Sequence, residues 1–370
     1  MNAARDDDER WMAATLRFGR RNFGLTAPNP CVAALIVRDG VVVGRAVTAP
    51  GGRPHAEVLA LAEAGEAARG ATIYVTLEPC SHTGVTPPCA DAIVAAGVAR
   101  VVSALEDPDA RVAGRGLARL REAEIAVTVG VGEAQARRDH RGHILRVTAG
   151  RPMVTLKLAM TADGYAAGDE HDARLAITGE AANAAVQVMR SLHDAIMIGL
   201  GTAQDDDPLL TVRLPGVAQK PLRVVLDTRL ELPLASRLVE TAREFPTLVV
   251  TTAAAPAARE AALAAKGVET ARIAVDPAGG VDLGAALRLI GERGVTRVFS
   301  EGGPRVASRL IALGLVDEAA LFTAVKPLGR PGLPALDAAA HAALVDLAQY
   351  RALEAETYGS DTLRRWERVG

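Results

Sequence analysis

His55-Ala56-Glu57, followed downstream by Pro79-Cys80 and then Cys89, constrains this chain more than any other feature. One imidazole and two thiolates can fill three corners of a tetrahedron around zinc and leave the fourth for water. Metal in such a site lowers the pKa of water towards neutrality, and a nearby carboxylate that is not a ligand can move protons. Glu57 is that carboxylate. Three scattered cysteines and a histidine could be ordinary core residues, but H-x-E and P-C seldom coincide by chance.

The flanking pattern supports convergence of these segments. Residues 32–37 and 41–47 read as strands joined by the Asp39-Gly40 turn. Helical spacing covers 55–68, with Val58, Leu59 and Ala62 on one side. Strands at 71–76, 100–105 and 125–129 alternate with helices at 89–96 and 117–124, which predicts a three-layer α/β/α module with a mixed sheet. His55 and Glu57 open one helix and Cys89 opens another; a helix N-terminus favours thiolate over thiol. Pro87 and Pro88 suit a chain entering a helix. Glu78-Pro79 ends sheet pairing and can turn Cys80 towards the site. Cys31 sits in the apolar run 31–37 and reads as a small core residue.

A length of 370 residues favours two domains. Residues 133–147 read as a charged helix, broken by Ala149-Gly150-Arg151-Pro152. A linker near 148–152 gives domains 1–148 and 152–370. The second repeats the alternation, with strands at 153–159, 195–199, 222–227, 247–251 and 296–300 and helices at 180–193, 256–266, 283–292 and 304–313. A net charge of −2, from 42 basic and 44 acidic residues, offers no broad footprint for a polyanion. Three cysteines, two of them assigned to metal, indicate no disulfide framework. The charged first ten residues lack the apolar core of a signal peptide, and no run is long enough to span a membrane. A cytoplasmic protein is expected.

Three features of the second half carry chemistry. Arg297-Val-Phe-Ser-Glu-Gly-Gly-Pro304 is a strand running through a glycine turn into a helix, where backbone can approach a phosphate; taken alone it is more often just a turn. Ile198-Gly-Leu-Gly-Thr202 leads to Asp205-Asp-Asp-Pro208 and Leu209-Leu-Thr-Val-Arg213, either a nucleotide-facing loop or a solvated acidic one. Arg190 and Arg213 flank it, and the guanidinium fork suits phosphate, although surface placement is equally open.

Tyr74-Val-Thr-Leu-Glu-Pro-Cys-Ser-His-Thr-Gly-Val-Thr-Pro-Pro-Cys89 resembles the deaminase half of the bifunctional riboflavin-biosynthesis deaminase–reductases. Zinc deaminases carry H-x-E and P-C-x-x-C; here eight residues separate the cysteines, an excursion that this family shares. Ala27-Pro-Asn-Pro30, Asp107-Pro108 and Val112-Ala-Gly-Arg-Gly116 resemble it too. Leu156-Lys-Leu158, Ala162-Asp-Gly164, Ile177-Thr178, the 190–213 block and Glu301-Gly-Gly-Pro304 follow the order of the family's reductase half. The resemblance covers nearly the whole chain.

The resemblance implies an N-terminal cytidine-deaminase-like domain and a C-terminal dihydrofolate-reductase-like α/β domain. One zinc per chain would serve hydrolytic deamination of 2,5-diamino-6-(5-phosphoribosylamino)pyrimidin-4-one. NADPH would then reduce the ribosyl arm to ribityl. Carried over position by position, His55, Cys80 and Cys89 bind metal and Glu57 is catalytic. Ala159, Ala176, Thr202, Asp206, Gly303, Pro304 and Arg305 meet NADPH; Arg174, Arg190, Leu210, Arg213 and Glu301 meet the substrate. A small-molecule substrate, no nucleic-acid or membrane partner, and a homo-oligomer are expected.

The chain departs from the family at Ala176, where tryptophan is usual, at Tyr165, where a basic residue is, and at Arg174, where a small hydroxyl is. Losing a large aromatic removes contact area that could position nicotinamide. Two other readings remain at this point: a deaminase with a non-catalytic C-terminal binding or assembly module, and a nucleic-acid-editing deaminase, which would need a cationic surface.

Overall fold

Asp39 and Gly40 both have positive φ, 51° and 75°, the geometry of a two-residue turn that matches strand twist. They join β1 (Ala33–Arg38) to β2 (Val41–Val47) as the sequence predicts. In this computed structural model the described residues are 3–83, 87–169, 172 and 175–369. The chain forms two compact units, Met1–Arg151 with Gly291–Thr296, and Pro152–Ile290 with Arg297–Gly370.

In the first unit β3 (Thr72–Val75), β4 (Arg100–Ser103) and β5 (Ala126–Val129) complete a sheet of order β2-β1-β3-β4-β5. β1 runs antiparallel to β2 and β3, and β3, β4 and β5 run parallel. The mixed sheet is the expected one. Ala33 to Val37 are all buried, as a central strand covered on both faces requires. The helix Ala56–Ala64 lies so close to β2 that a Cβ on Gly44 would sit 2.3 Å from the Ala60 carbonyl oxygen. Only glycine permits that approach, and it sets the height of the helix that begins just after His55.

Two features differ from the sequence reading. The helix expected over 133–147 is two, Glu133–Asp139 and Arg141–Ala149, with a break at His140 (φ −93°, ψ 7°). His140 is buried, with Nε2 3.1 Å from Thr76 Oγ1, so a tertiary contact interrupts what local periodicity would continue. The charged N-terminus forms a helix, Ala3–Gly19, that burial of Met12 and Leu16 docks on the core.

The second unit is built on β6 (Met153–Met160), β8 (Ala195–Gly199), β9 (Leu222–Leu226), β10 (Thr247–Thr252), β11 (Glu269–Ile273), β12 (Arg297–Ser300), β13 (Glu318–Thr323), β15 (Tyr350–Ala352) and β17 (Asp361–Arg368). Their order is β11-β10-β9-β8-β12-β6-β13-β17-β15, with β16 (Glu356–Tyr358) on β17. β7 (Tyr165–Ala167) pairs separately with β14 (Leu333–Pro334). β6, β8 and β12 are neighbours and parallel, so the loops leaving β8 and β12 emerge side by side. The helices Leu200–Asp206 and Pro304–Ala312 start there. Open parallel sheets bind ligands at such carboxyl ends.

Candidate active sites

His55 caps the helix Ala56–Ala64, and Cys89 is the first residue of the helix Cys89–Ala95, entered through Pro88. Cys80 follows β3 through Glu78-Pro79. Ligand atoms of His55, Cys80 and Cys89 all lie within 4.8 Å of one another. Nδ1 of His55 is 3.3 Å from the Cys89 sulfur and 3.7 Å from that of Cys80, and the Cys89 N–H donates to Cys80 Sγ at 3.3 Å. The three expected ligands are together. Cys31 is elsewhere, its thiol donating to the Gly19 carbonyl at 3.0 Å.

The charges say what the cluster would hold. A hydrogen bond from Cys89, assisted by His55, lowers the Cys80 thiol to about 4 in spite of its burial. The same contact and burial push the Cys89 thiol up, and hydrogen bonding to Cys80 raises His55. The two adjacent sulfurs are thus pushed in opposite directions, Cys80 towards thiolate and Cys89 towards thiol. A divalent cation would let both ionise, and an N/S/S set with an open fourth position is a zinc donor set. Glu57 is 3% exposed. Burial first, then the Cys80 thiolate, raises its carboxyl to about 7, and its Oε2 has no hydrogen-bond partner among the described residues. A buried oxygen left unpaired marks a place for a ligand or a transferable proton.

The surrounding motifs acquire roles that the sequence did not reveal. Asn29 Nδ2 donates to the Gly52 carbonyl at 2.8 Å and lies 3.4 Å from His55 Nε2, so the Ala27-Pro-Asn-Pro30 turn backs the histidine. The buried Glu78 carboxylate accepts N–H groups of Asp107, Gly114, Gly116 and Leu117 at 2.8–3.2 Å. It ties the segment before Cys80 to the 107–117 loop. Gly116 is obligatory there, because a Cβ would sit 1.9 Å from the Pro79 carbonyl oxygen. Residues 84–86 of the excursion between the cysteines lie outside the described residues.

In the second unit the Gly303 N–H donates to Thr202 Oγ1 at 3.1 Å. This bond joins the helix that follows β8 to the loop after β12. Gly303 caps the helix Pro304–Ala312, no side chain caps its N–H groups, and such an open helix start suits the phosphates of a dinucleotide. Pro304 is its first residue and Arg305 projects at an exposed position beside it. Asp206 ends the helix Leu200–Asp206. Ala159 lies half-buried in β6, opposite Phe322 of β13. Ala176 is exposed, and Arg174 lies outside the described residues.

Among the residues expected to meet substrate, Arg190 donates through Nε and Nη2 to the two oxygens of Glu301, at 2.6 and 3.1 Å, and through Nη1 to the Thr211 carbonyl at 3.0 Å. The guanidinium read as a phosphate fork is therefore largely engaged within the protein. Burial pushes the Glu301 carboxyl up, but the charge and hydrogen bonds of Arg190, with Lys157 and Arg213, leave it below the usual range. Arg213 is the exposed one. Partial desolvation, then the positive charges of Arg190 and Arg237, lowers its pKa, and the Glu301 carboxylate partly opposes this. Leu210 is buried, with φ 49°. Lys157 also lowers the Glu301 carboxyl, and Asp163, in the Ala162-Asp-Gly164 turn, accepts N–H groups of Leu328 and Gly329 at 2.8 and 3.0 Å.

Residues 5–105 match the family model of the cytidine and deoxycytidylate deaminase zinc-binding region, and residues 152–363 match that of the RibD C-terminal domain. The riboflavin biosynthesis protein RibD of Aquifex aeolicus is 38% identical, over 88% of this chain and 89% of its own length. RibD of Acinetobacter baumannii is similar in structure, with TM-score 0.87 at 33% identity over 99% of this chain and 100% of that one. A diaminohydroxyphosphoribosylaminopyrimidine deaminase/5-amino-6-(5-phosphoribosylamino)uracil reductase from Thermotoga maritima gives TM-score 0.83 at 30% identity, with 99% and 100% coverage. The chain belongs to the RibD family of riboflavin-biosynthesis proteins and is a bifunctional enzyme, with a zinc-binding deaminase domain followed by an NADPH-dependent reductase domain.

Proposed function

We propose that His55, Cys80 and Cys89 hold the zinc, that Glu57 moves the protons of deamination, and that the loops after β8 and β12 hold NADPH and a phosphoribosylamino substrate. The observation that carries this reading is the convergence of three ligand atoms within 4.8 Å, beside a buried carboxylate with an unpaired oxygen. The Thermotoga relative is named as a diaminohydroxyphosphoribosylaminopyrimidine deaminase and 5-amino-6-(5-phosphoribosylamino)uracil reductase, which supports 2,5-diamino-6-(5-phosphoribosylamino)pyrimidin-4-one as the substrate and reduction of the ribosyl arm of the deaminated product as the second step.

Zinc, when bound, supplies the Lewis acidity that makes a water nucleophilic near neutral pH. Glu57 takes up a proton at Oε2, the buried oxygen without a hydrogen-bond partner among the described residues, and returns it to the departing amine. NADPH supplies the hydride, and the protein supplies position. The open N–H groups after Gly303 would take cofactor phosphates, with Thr202 fixing that loop and Ala159, Asp206, Pro304 and Arg305 nearby in the fold. Arg213 would take the ribose phosphate. Arg190 and Glu301, paired with each other, shape that pocket.

Residues 1–148 and 152–370 are proposed as the two domains; the compact units divide between Arg151 and Pro152 in support of this, although Gly291–Thr296 groups with the first unit rather than the second. Among the described residues no helix is long and apolar enough to cross a membrane. Free cysteines fit a reducing cytoplasm, near-neutral charge argues against a nucleic-acid partner, and a homo-oligomer is proposed by resemblance to the family. The test is an assay on purified protein that follows ammonia release and NADPH oxidation separately. Ammonia release without NADPH oxidation would sink the reductase half, and residues 152–370 expressed alone should still bind NADPH.

A further inference from the structure

Arg223 lies on β9 with none of its surface exposed, and among the described residues no carboxylate pairs with it. Burial pushes its pKa down to about 10, so it stays charged at neutral pH. A buried cation without an anion is costly unless its donors are satisfied. Here they are satisfied by oxygens. Nε and Nη2 donate to Thr247 Oγ1 at 3.0 and 2.6 Å, Nη1 to Thr241 Oγ1 at 2.9 Å, and Nη2 to the carbonyls of Leu238 and Phe245 at 3.0 and 2.9 Å. The remaining bond, Nη1 to the Leu209 carbonyl at 3.1 Å, reaches into the loop that ends in Arg213.

That loop is the least relaxed backbone near the reductase site. Asp207 and Leu210 have φ of 37° and 49°, in a region where β-carbon-bearing residues are disfavoured and which persists only when surroundings over-determine it. The two carbonyls on either side of Leu210 are both held by buried guanidiniums, that of Leu209 by Arg223 and that of Thr211 by Arg190. Two residues further on, the Arg213 N–H donates to Gln187 Oε1 at 2.9 Å. At the other end the Arg237 N–H donates to Asp207 Oδ1 at 2.8 Å. The bonds to Leu209, Thr211 and Arg213 hold one backbone shape, and that shape decides where the Arg213 side chain emerges.

We propose that Arg223 is a positioning residue of the reductase: with Arg190 it clamps the left-handed turn at Leu210 and so presents Arg213 to the substrate. The proposal rests on the reading of Arg213 as the phosphate contact. It gives a buried, non-catalytic arginine on a strand outside the site a defined effect on substrate binding.

The test uses full-length R223K and R223M, with R213A alongside. A lysine at 223 keeps the charge but offers three donors on one nitrogen in place of the guanidinium's five-donor fork. Four quantities are measured: deamination, NADPH binding by calorimetry, KM and kcat for reduction of 5-amino-6-(5-phosphoribosylamino)uracil, and hydrogen exchange of backbone amides 209–213. R223K should raise KM about tenfold, the scale of one lost charge-assisted bond, and speed exchange at 209–213. NADPH affinity and deamination should hold at wild-type values, and R223M should show the same changes, larger. Wild-type KM and exchange in R223K overturn the proposal. So do faster exchange throughout the domain and lost NADPH binding in R223K, which would make Arg223 a general core residue, and this decides the matter even if R223M fails to fold. R213A reports separately on the phosphate reading: if it leaves KM unchanged while R223K loosens 209–213, the clamp stands and the phosphate assignment falls.

Discussion

Arg190 and Glu301 face each other as a two-pronged ion pair, Nε to Oε1 at 2.6 Å and Nη2 to Oε2 at 3.1 Å, with side-chain exposures of only 10% and 11%. Removing one partner leaves the other charge buried alone, so Arg190→Ala should cost about 3–5 kcal/mol. Arg190→Met with Glu301→Met should cost much less than the sum of the two single changes. Glu301 has a folded pKa below its unfolded one. Its contribution is therefore complete above the ordinary glutamate pKa of about 4.3 and is lost as pH falls through the lower folded value. Thermal unfolding of the wild type, the two single methionine variants and the double variant at neutral and acid pH checks this. Equal coupling at both pH values would mean the pair is not the source.

Metal content should follow ligand chemistry rather than cysteine count. Cys80→Ser should lose the zinc, whereas Cys31→Ser should keep it, because Cys31 bonds to the Gly19 carbonyl and is absent from the ligand cluster. Elemental analysis of the purified variants decides it, and full zinc in Cys80→Ser would overturn the assignment.

Glu57→Gln should lower deamination by roughly 10²-fold or more, since an amide keeps the shape but cannot carry the proton. Zinc should remain, because Glu57 is not among the three ligands. NADPH oxidation with already deaminated substrate should proceed at the wild-type rate. A variant that still deaminates normally removes Glu57 from the chemistry.

Arg213→Ala should weaken the phosphorylated substrate by about tenfold to hundredfold, the scale of a charge-assisted contact. It should barely affect an analogue without the phosphate, and deamination should be untouched. Equal losses for both ligands would make Arg213 structural and put the phosphate pocket elsewhere.

Much of this was legible in the chain itself. The candidate donor set His55, Cys80 and Cys89, the candidate acid Glu57 and the Asp39-Gly40 turn can each be read from the chemistry of short segments. So can the strand and helix periods around them. Helix Ala3–Gly19 was not legible, because it depends on Asp8. That carboxylate accepts two bonds from Arg100, at 2.8 and 2.6 Å, and one from Tyr74 at 2.9 Å. Nothing near Asp8 in sequence announces partners 66 and 92 residues away.

The reductase site shows the same division. Its glycines and arginines stand out in the sequence, and residue type alone suggested an anion. Whether Arg190 met a ligand or Glu301, 111 residues on, depended on β8, β12 and β6 lying side by side. The Glu78 carboxylate and the Arg223 guanidinium are likewise ordinary in a linear pattern, and they become hubs only when burial removes water as a competing partner. Local propensity and ligand chemistry belong to short segments and can be read from them. Which buried charge finds which partner is a property of the packed sheet, because only there does leaving a donor or acceptor unpaired carry its full desolvation cost.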